Sequence, residues 1–103
     1  MQDAKEIDRA PRLAYPGAMQ VIIRKHSLTL AGHRTSVSLE PAFWRAFQDC
    51  AQRGGVSVNA LAEHIDAVRL RSEQGGQGAM NLSAAIRLHV LEDLQARLRA
   101  ATE

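Results

Sequence analysis

The sequence predicts a mainly α-helical chain that opens with a short antiparallel β element: a β-hairpin followed by three helices. Residues 25–39, KHSLTLAGHRTSVSL, alternate apolar and polar on both sides of Ala31-Gly32-His33-Arg34, the period of strands with one buried face. From Pro41 onward, apolar residues recur at spacings of three and four through three successive stretches, which is the period of amphipathic helices. Glycines separate those stretches, at 54 and 55 and again at 75, 76 and 78.

Residues 1–20 carry scattered charges with Pro11, Pro16 and Gly17 and no sustained period. They read as a flexible N-terminal arm, with the ordered domain occupying residues 21–103. In the hairpin, Gly32 and His33 are expected as the central residues of a type II′ turn, Gly32 supplying the positive φ. Leu30 then pairs with Thr35 and Leu28 with Val37. This register puts Leu28, Leu30, Thr35, Val37 and Leu39 on one face and Lys25, Ser27, Thr29, Arg34, Ser36 and Ser38 on the other. One continuous strand bent at Gly32 is the alternative.

The first helix is expected from Pro41, where a proline at the first helical position loses no needed hydrogen bond, to Arg53, with Gly54 and Gly55 available for a left-handed cap. Phe43, Phe47, Cys50 and Ala51 form its buried stripe, with Trp44 beside them as core or dimer-interface filler. Ser57 caps the second helix, flanked by a Val56 to Leu61 hydrophobic staple. Leu61, Ala62, Ile65 and Val68 give that helix its buried face. Residues 72–80 read as a mobile connection, after which Asn81 caps a third helix running to Ala100. Leu82, Ile86, Val90, Leu94 and Leu98 recur along it, and Leu88 and Leu91 widen its apolar surface beyond what one neighbour covers.

With 103 residues and 11.3 kDa, the chain has room for one core, since a second needs roughly 50 residues of its own. That excludes a multidomain enzyme. The single Cys50 forbids an internal disulfide and fits a reducing cytoplasm. No apolar run approaches a membrane span, and the opening MQDAKEIDRAPRL lacks the basic-then-apolar order of a signal peptide, so a cytoplasmic protein with no membrane partner is expected. The net charge of +2 is unevenly spread: residues 1–8 sum to −2, residues 9–39 hold five cations and no acid, and the remainder sums to −1. An acid-free segment of that kind points to a polyanionic partner. Aromatic residues make up only 4% of the chain, too few for a single-strand stacking platform.

Catalytic chemistry finds no foothold. Glu63, His64 and Asp66 fall within one helical turn, but His64 and Asp66 at i, i+2 point apart. His26, His33 and His89 have no partner at metal-ligand spacing. The glycines at 75–78 follow no strand and precede no Lys-Ser/Thr pair, so they form no phosphate loop. No catalytic residue, cofactor or metal is expected.

The segment RTSVSLEPAFWRAFQDCAQRGGVSVNALAEHI, residues 34–65, resembles a ribbon-helix-helix domain of the Arc and MetJ type. The longer KHSLTLAGHRTSVSLEPAFW, with NLSAAIRLHVL further on, resembles a bacterial subfamily of small ribbon-helix-helix domain proteins that carries an extra N-terminal strand and a third helix. The resemblance implies an intertwined homodimer whose two copies of strand 34–39 pair antiparallel and enter a major groove of double-stranded DNA. Arg34, Ser36 and Ser38 would then face the bases, Arg34 as the strongest reader because guanidinium bonds guanine bidentately. The family's phosphate grip carries over to Ser57, Val58 and Asn59 at the start of the second helix. The extra strand would make the dimer's sheet too wide to enter the groove as a simple ribbon, so DNA contact would depend on the hairpin moving aside or on Arg24 and Lys25 flanking the duplex. Val37, Leu39, Trp44, Phe47, Leu61 and Ile65 would build the dimer core.

The function implied is transcriptional regulation by occupancy. Two rivals keep the dimeric fold: a protein-interaction module, for which the extra strand and helix 81–100 speak, and an antitoxin that binds both DNA and a toxin.

Overall fold

The computed structural model describes residues 22–74 and 80–103. The expected arm, residues 1–20, lies outside them. Two strands, β1 (Arg24–Leu30) and β2 (His33–Leu39), form an antiparallel hairpin, and three helices follow: α1 (Pro41–Arg53), α2 (Val58–Gln74) and α3 (Leu82–Ala101). The hairpin and three helices match the expected architecture, but the register corrects the sequence reading. Leu30 lies opposite His33, Leu28 opposite Thr35 and His26 opposite Val37, a displacement of two residues.

The turn causes it. Ala31 and Gly32 are the two central residues, with φ of 51° and 83°, and two successive positive φ values define a type I′ turn, whose twist matches that of the strands it joins. A shift of two preserves every side chain's face. Leu28, Val37 and Leu39 therefore remain buried, as alternation predicts.

Helix α1 begins with Pro41 at its first position, and Glu40 before it makes no side-chain cap. The Glu40 carboxylate instead accepts from Arg87 of α3. At the other end Gly55 takes φ 70°, and the Val56 N–H returns to the Ala51 carbonyl at 3.0 Å, the long bond of a Schellman cap. Ser57 Oγ accepts the Ala60 N–H at 3.0 Å and Asn81 Oδ1 accepts the Ala84 N–H at 2.8 Å, so both expected N-caps form. Helix α2 runs through Gln74; Ser72, Glu73 and Gln74 are helical where a mobile connection was expected, and residues 75–79 of that connection lie outside the described part.

One face of the hairpin closes over the helices. Leu28, Val37 and Leu39 meet Phe47 of α1, Ala62 and Ile65 of α2, and Ala85, Ile86 and Val90 of α3. Val37, Leu39, Phe47 and Ile65, expected in a dimer core, are buried within the single chain, whereas Trp44 and Leu61 sit half-buried at its margin. Trp44 stacks flat on His26, ring centroids 3.8 Å apart. The expected burial of Val68 is not realised: it is 41% exposed. It lies on a groove between α2 and α3, with Leu88 on the other wall.

Candidate nucleic-acid interface

The outer face of the hairpin carries Lys25, Ser27 and Thr29 from β1 and Arg34, Ser36 and Ser38 from β2, by strand alternation. All are exposed except Ser38, which is half-buried. No acid stands among them. Arg34 and Ser36 thus sit in the middle of a polar strand face. Arg24 is exposed at the start of β1, opposite Leu39, so alternation turns it to the other face from Lys25.

The edges of the hairpin decide where it can grow. The Thr29 N–H donates to Asn59 Oδ1 at 3.2 Å and the Ala31 N–H donates to Glu63 Oε2 at 3.0 Å. Side chains of the first turns of α2 therefore satisfy the outer edge of β1 near the hairpin tip. On β2 the Ser38 N–H donates to Ser83 Oγ at 3.0 Å, and the Ser38 carbonyl accepts from Arg87 at 3.2 Å. Because Thr29 and Ser38 turn their amides outward, the pleat turns those of Arg34 and Ser36 outward as well. The open edge of β2 is thus confined to Arg34 and Ser36.

The three residues expected to grip phosphate come together beside β1. Ser57 is engaged as the N-cap, Val58 is half-buried, and Asn59 is exposed with its carbonyl oxygen on Thr29. The first turn of α2 holds no acid, which leaves the positive end of the helix dipole uncompensated. Moving outward from the open edge, the order is β2, β1, then the N-terminus of α2.

Sequence reasoning missed Asn59, Glu63, Ser83 and Arg87 as edge-closing residues. Their contacts span 30 to 49 positions, and no local periodicity announces such pairs.

Glu40 and Asp93 are each held by an arginine 40 or more positions away in sequence. Glu40 pairs with Arg87 at 2.9 Å; the Arg87 hydrogen bond, followed by one from its own backbone amide, lowers its pKa from the usual carboxylate value. Asp93 lies between Arg53 and Arg97 and accepts the Cys50 thiol at 3.4 Å. Burial pushes the Asp93 carboxyl up, but hydrogen bonds from Arg97, Cys50 and Arg53 outweigh it and the net shift is downward. Burial, reinforced by Asp93, raises the Cys50 pKa, so this thiol is held protonated. Among the described residues no group of three or more His, Cys, Asp or Glu is placed to hold a metal ion, and no helix is long and apolar enough to cross a membrane.

No curated protein sequence matches the chain. Among solved structures it is similar to an uncharacterized protein from Bordetella pertussis Tohama I. The two share 29% identity and a TM-score of 0.63, with 89% of this chain and 72% of that one covered. Residues 23–94 match the family described as "Ribbon-helix-helix domain". That match takes in both strands, α1, α2 and more than half of α3, and with the geometry above it establishes that the chain belongs to the ribbon-helix-helix domain family.

Proposed function

We propose that the chain is a homodimeric, cytoplasmic DNA-binding regulator that acts by occupying double-stranded DNA. The observation that carries this reading is the exposed, acid-free outer face of the hairpin beside an open β2 edge limited to Arg34 and Ser36. Antiparallel pairing of two β2 strands about a two-fold axis at Thr35 sets Arg34 of each chain opposite Ser36 of the other, and uses only the unengaged backbone groups. Trp44 and Leu61, half-buried at the core margin, have surface left to share in that dimer. Val37, Leu39, Phe47 and Ile65 support it from within each chain.

Such a dimer presents four strands in the order β1, β2, β2, β1. At about 4.8 Å per strand spacing its outer strands lie roughly 14 Å apart, against a major groove about 12 Å wide. Only the two central strands fit between the phosphate ridges. Arg34 and Ser36 then meet base edges, with Ser38 at the margin, while Lys25 on the outer strands reaches the ridges; Arg24, on the opposite face, adds only long-range positive charge. Beyond them the N-termini of the two α2 helices bring Ser57, Val58 and Asn59 toward phosphate, where backbone amides and the helix dipole attract anions.

Titration of duplex genomic fragments at low and physiological salt tests the reading. Binding that weakens linearly with the logarithm of salt, and that retains a preference for some fragments, is expected. No binding at low salt would refute it.

A further inference from the structure

We propose that the outer face of α3 is a self-association surface, on which α3 of a second copy lies antiparallel about a two-fold axis near Gln95. Ile86 and Val90 point into the core, yet Leu88, Leu91, Leu94 and Leu98 on the same helix are 42%, 48%, 42% and 58% exposed. Leu91 and Leu98, seven residues apart, form a ridge about 10 Å long on the side of the helix away from the core, flanked by Leu88 at the groove against α2 and Leu94 at the groove against α1. A ridge of large exposed side chains on a small chain is the mark of an interface.

Charge placement selects the occupant and its direction. Glu92 and Arg99 stand seven residues apart, hence on one flank of the ridge. Both are exposed, and among the described residues neither takes part in an ion pair. In an antiparallel pair centred near Gln95, Leu91 meets the partner's Leu98 while Glu92 meets the partner's Arg99. The two-fold axis repeats both contacts in reverse. A parallel pair would put the two copies of this flank on opposite sides of the seam, where Glu92 and Arg99 cannot meet, and would align rather than oppose the two helix dipoles. The antiparallel direction makes the ridge and its charged flank complementary to their own copies, as an interface between identical copies requires. This surface is separate from the β2 edge, so a chain can use both, and the inference does not depend on DNA binding.

Sedimentation velocity over a concentration series tests it, using the full chain, Glu92→Arg and Arg99→Glu, each checked for an unchanged circular dichroism spectrum. Either substitution turns two attractive contacts into two repulsive ones, so each variant alone should self-associate roughly tenfold more weakly than the wild-type chain. An equimolar mixture of the two restores both attractions, because in the mixed pair a cation again faces an acid on each side of the axis, and should recover the wild-type association. Leu91→Glu, which buries a charge in the same ridge, should abolish the association with no rescue by either charge variant. The inference is overturned if the single variants sediment like the wild-type chain, in which case the ridge serves another protein or none. It is also overturned if the mixture associates no better than its components.

Discussion

The Ser83 hydroxyl accepts the Ser38 amide proton at 3.0 Å, and that one bond marks where the exposed edge of β2 stops. Arg87, one turn further along α3, takes the Ser38 carbonyl and the Glu40 carboxylate and lies over the Phe43 ring at 5.8 Å. The third helix therefore does more than fill the core, since it trims the strand available for pairing to Arg34 and Ser36. Ser83→Ala leaves a part-buried amide without its acceptor and should cost about 1–2 kcal/mol, read as a lower urea midpoint. An unchanged midpoint would mean that water or a re-paired strand replaces Ser83.

Ala31 adopts φ 51° in a type I′ turn, a conformation that costs an L-residue with a Cβ roughly 1–2 kcal/mol and that Asn tolerates better. Ala31→Asn should raise stability by about 0.5–1 kcal/mol, measured as an upward shift in the denaturation midpoint. A loss of stability would argue for the type II′ register, in which position 31 lies in a strand.

That turn also separates what was legible in the sequence from what was not. Period-two alternation from Lys25 to Leu39 reveals which residues face the core, but registers that differ by two share the same faces, so alternation cannot choose between them. The choice lies in whether Ala31 will accept a positive φ, and a glycine at position 32 suits either turn. Helix ends were legible because their signals are local: Pro41, Gly55, Ser57 and Asn81 each act on groups within a few residues. The exposed Leu91, Leu94 and Leu98 were legible as excess apolar surface. Val68 was misjudged because spacing from Ile65 locates a helical face without telling how far the neighbouring helix covers it. For the candidate site, the polar face with Arg34 and Ser36 could be read directly, while its limits, set by Asn59, Glu63, Ser83 and Arg87, depend on contacts between distant segments.

Burial distinguishes two residues of α2 that periodicity treats alike. Ile65 is 5% exposed and Leu61 only half-buried. Ile65→Ala should cost about 2–5 kcal/mol, and Leu61→Ala about 1–2 kcal/mol in the isolated chain. Equal losses for the two substitutions, measured in urea at concentrations high enough to populate the proposed dimer, would place Leu61 in its interface.

Glu40 and Asp93 both have folded-state pKa values below their ordinary ones. A depressed carboxyl stabilises the fold above its unfolded pKa, and that contribution is lost as pH falls through the folded value. Stability should therefore decline through the acid range, and Glu40→Gln with Asp93→Asn should lower stability near neutral pH and flatten the decline. The urea midpoint followed from neutral pH into acid checks this; a double variant with the wild-type slope would assign the acid sensitivity to other carboxylates.

The central claim is that the outer face of the hairpin reads DNA through Arg34 while neighbouring cations hold the backbone. Its most direct test is to compare Arg34→Ala with Lys25→Ala on a preferred duplex and on the same duplex altered at one base pair after another, each at several salt concentrations. The account predicts that Arg34→Ala loses about 1–3 kcal/mol of discrimination at a single base pair, or one in each half-site. Lys25→Ala should weaken every duplex alike and reduce the salt slope by about one unit for each phosphate it no longer neutralises. Identical, sequence-blind losses for the two variants would contradict base reading by this face.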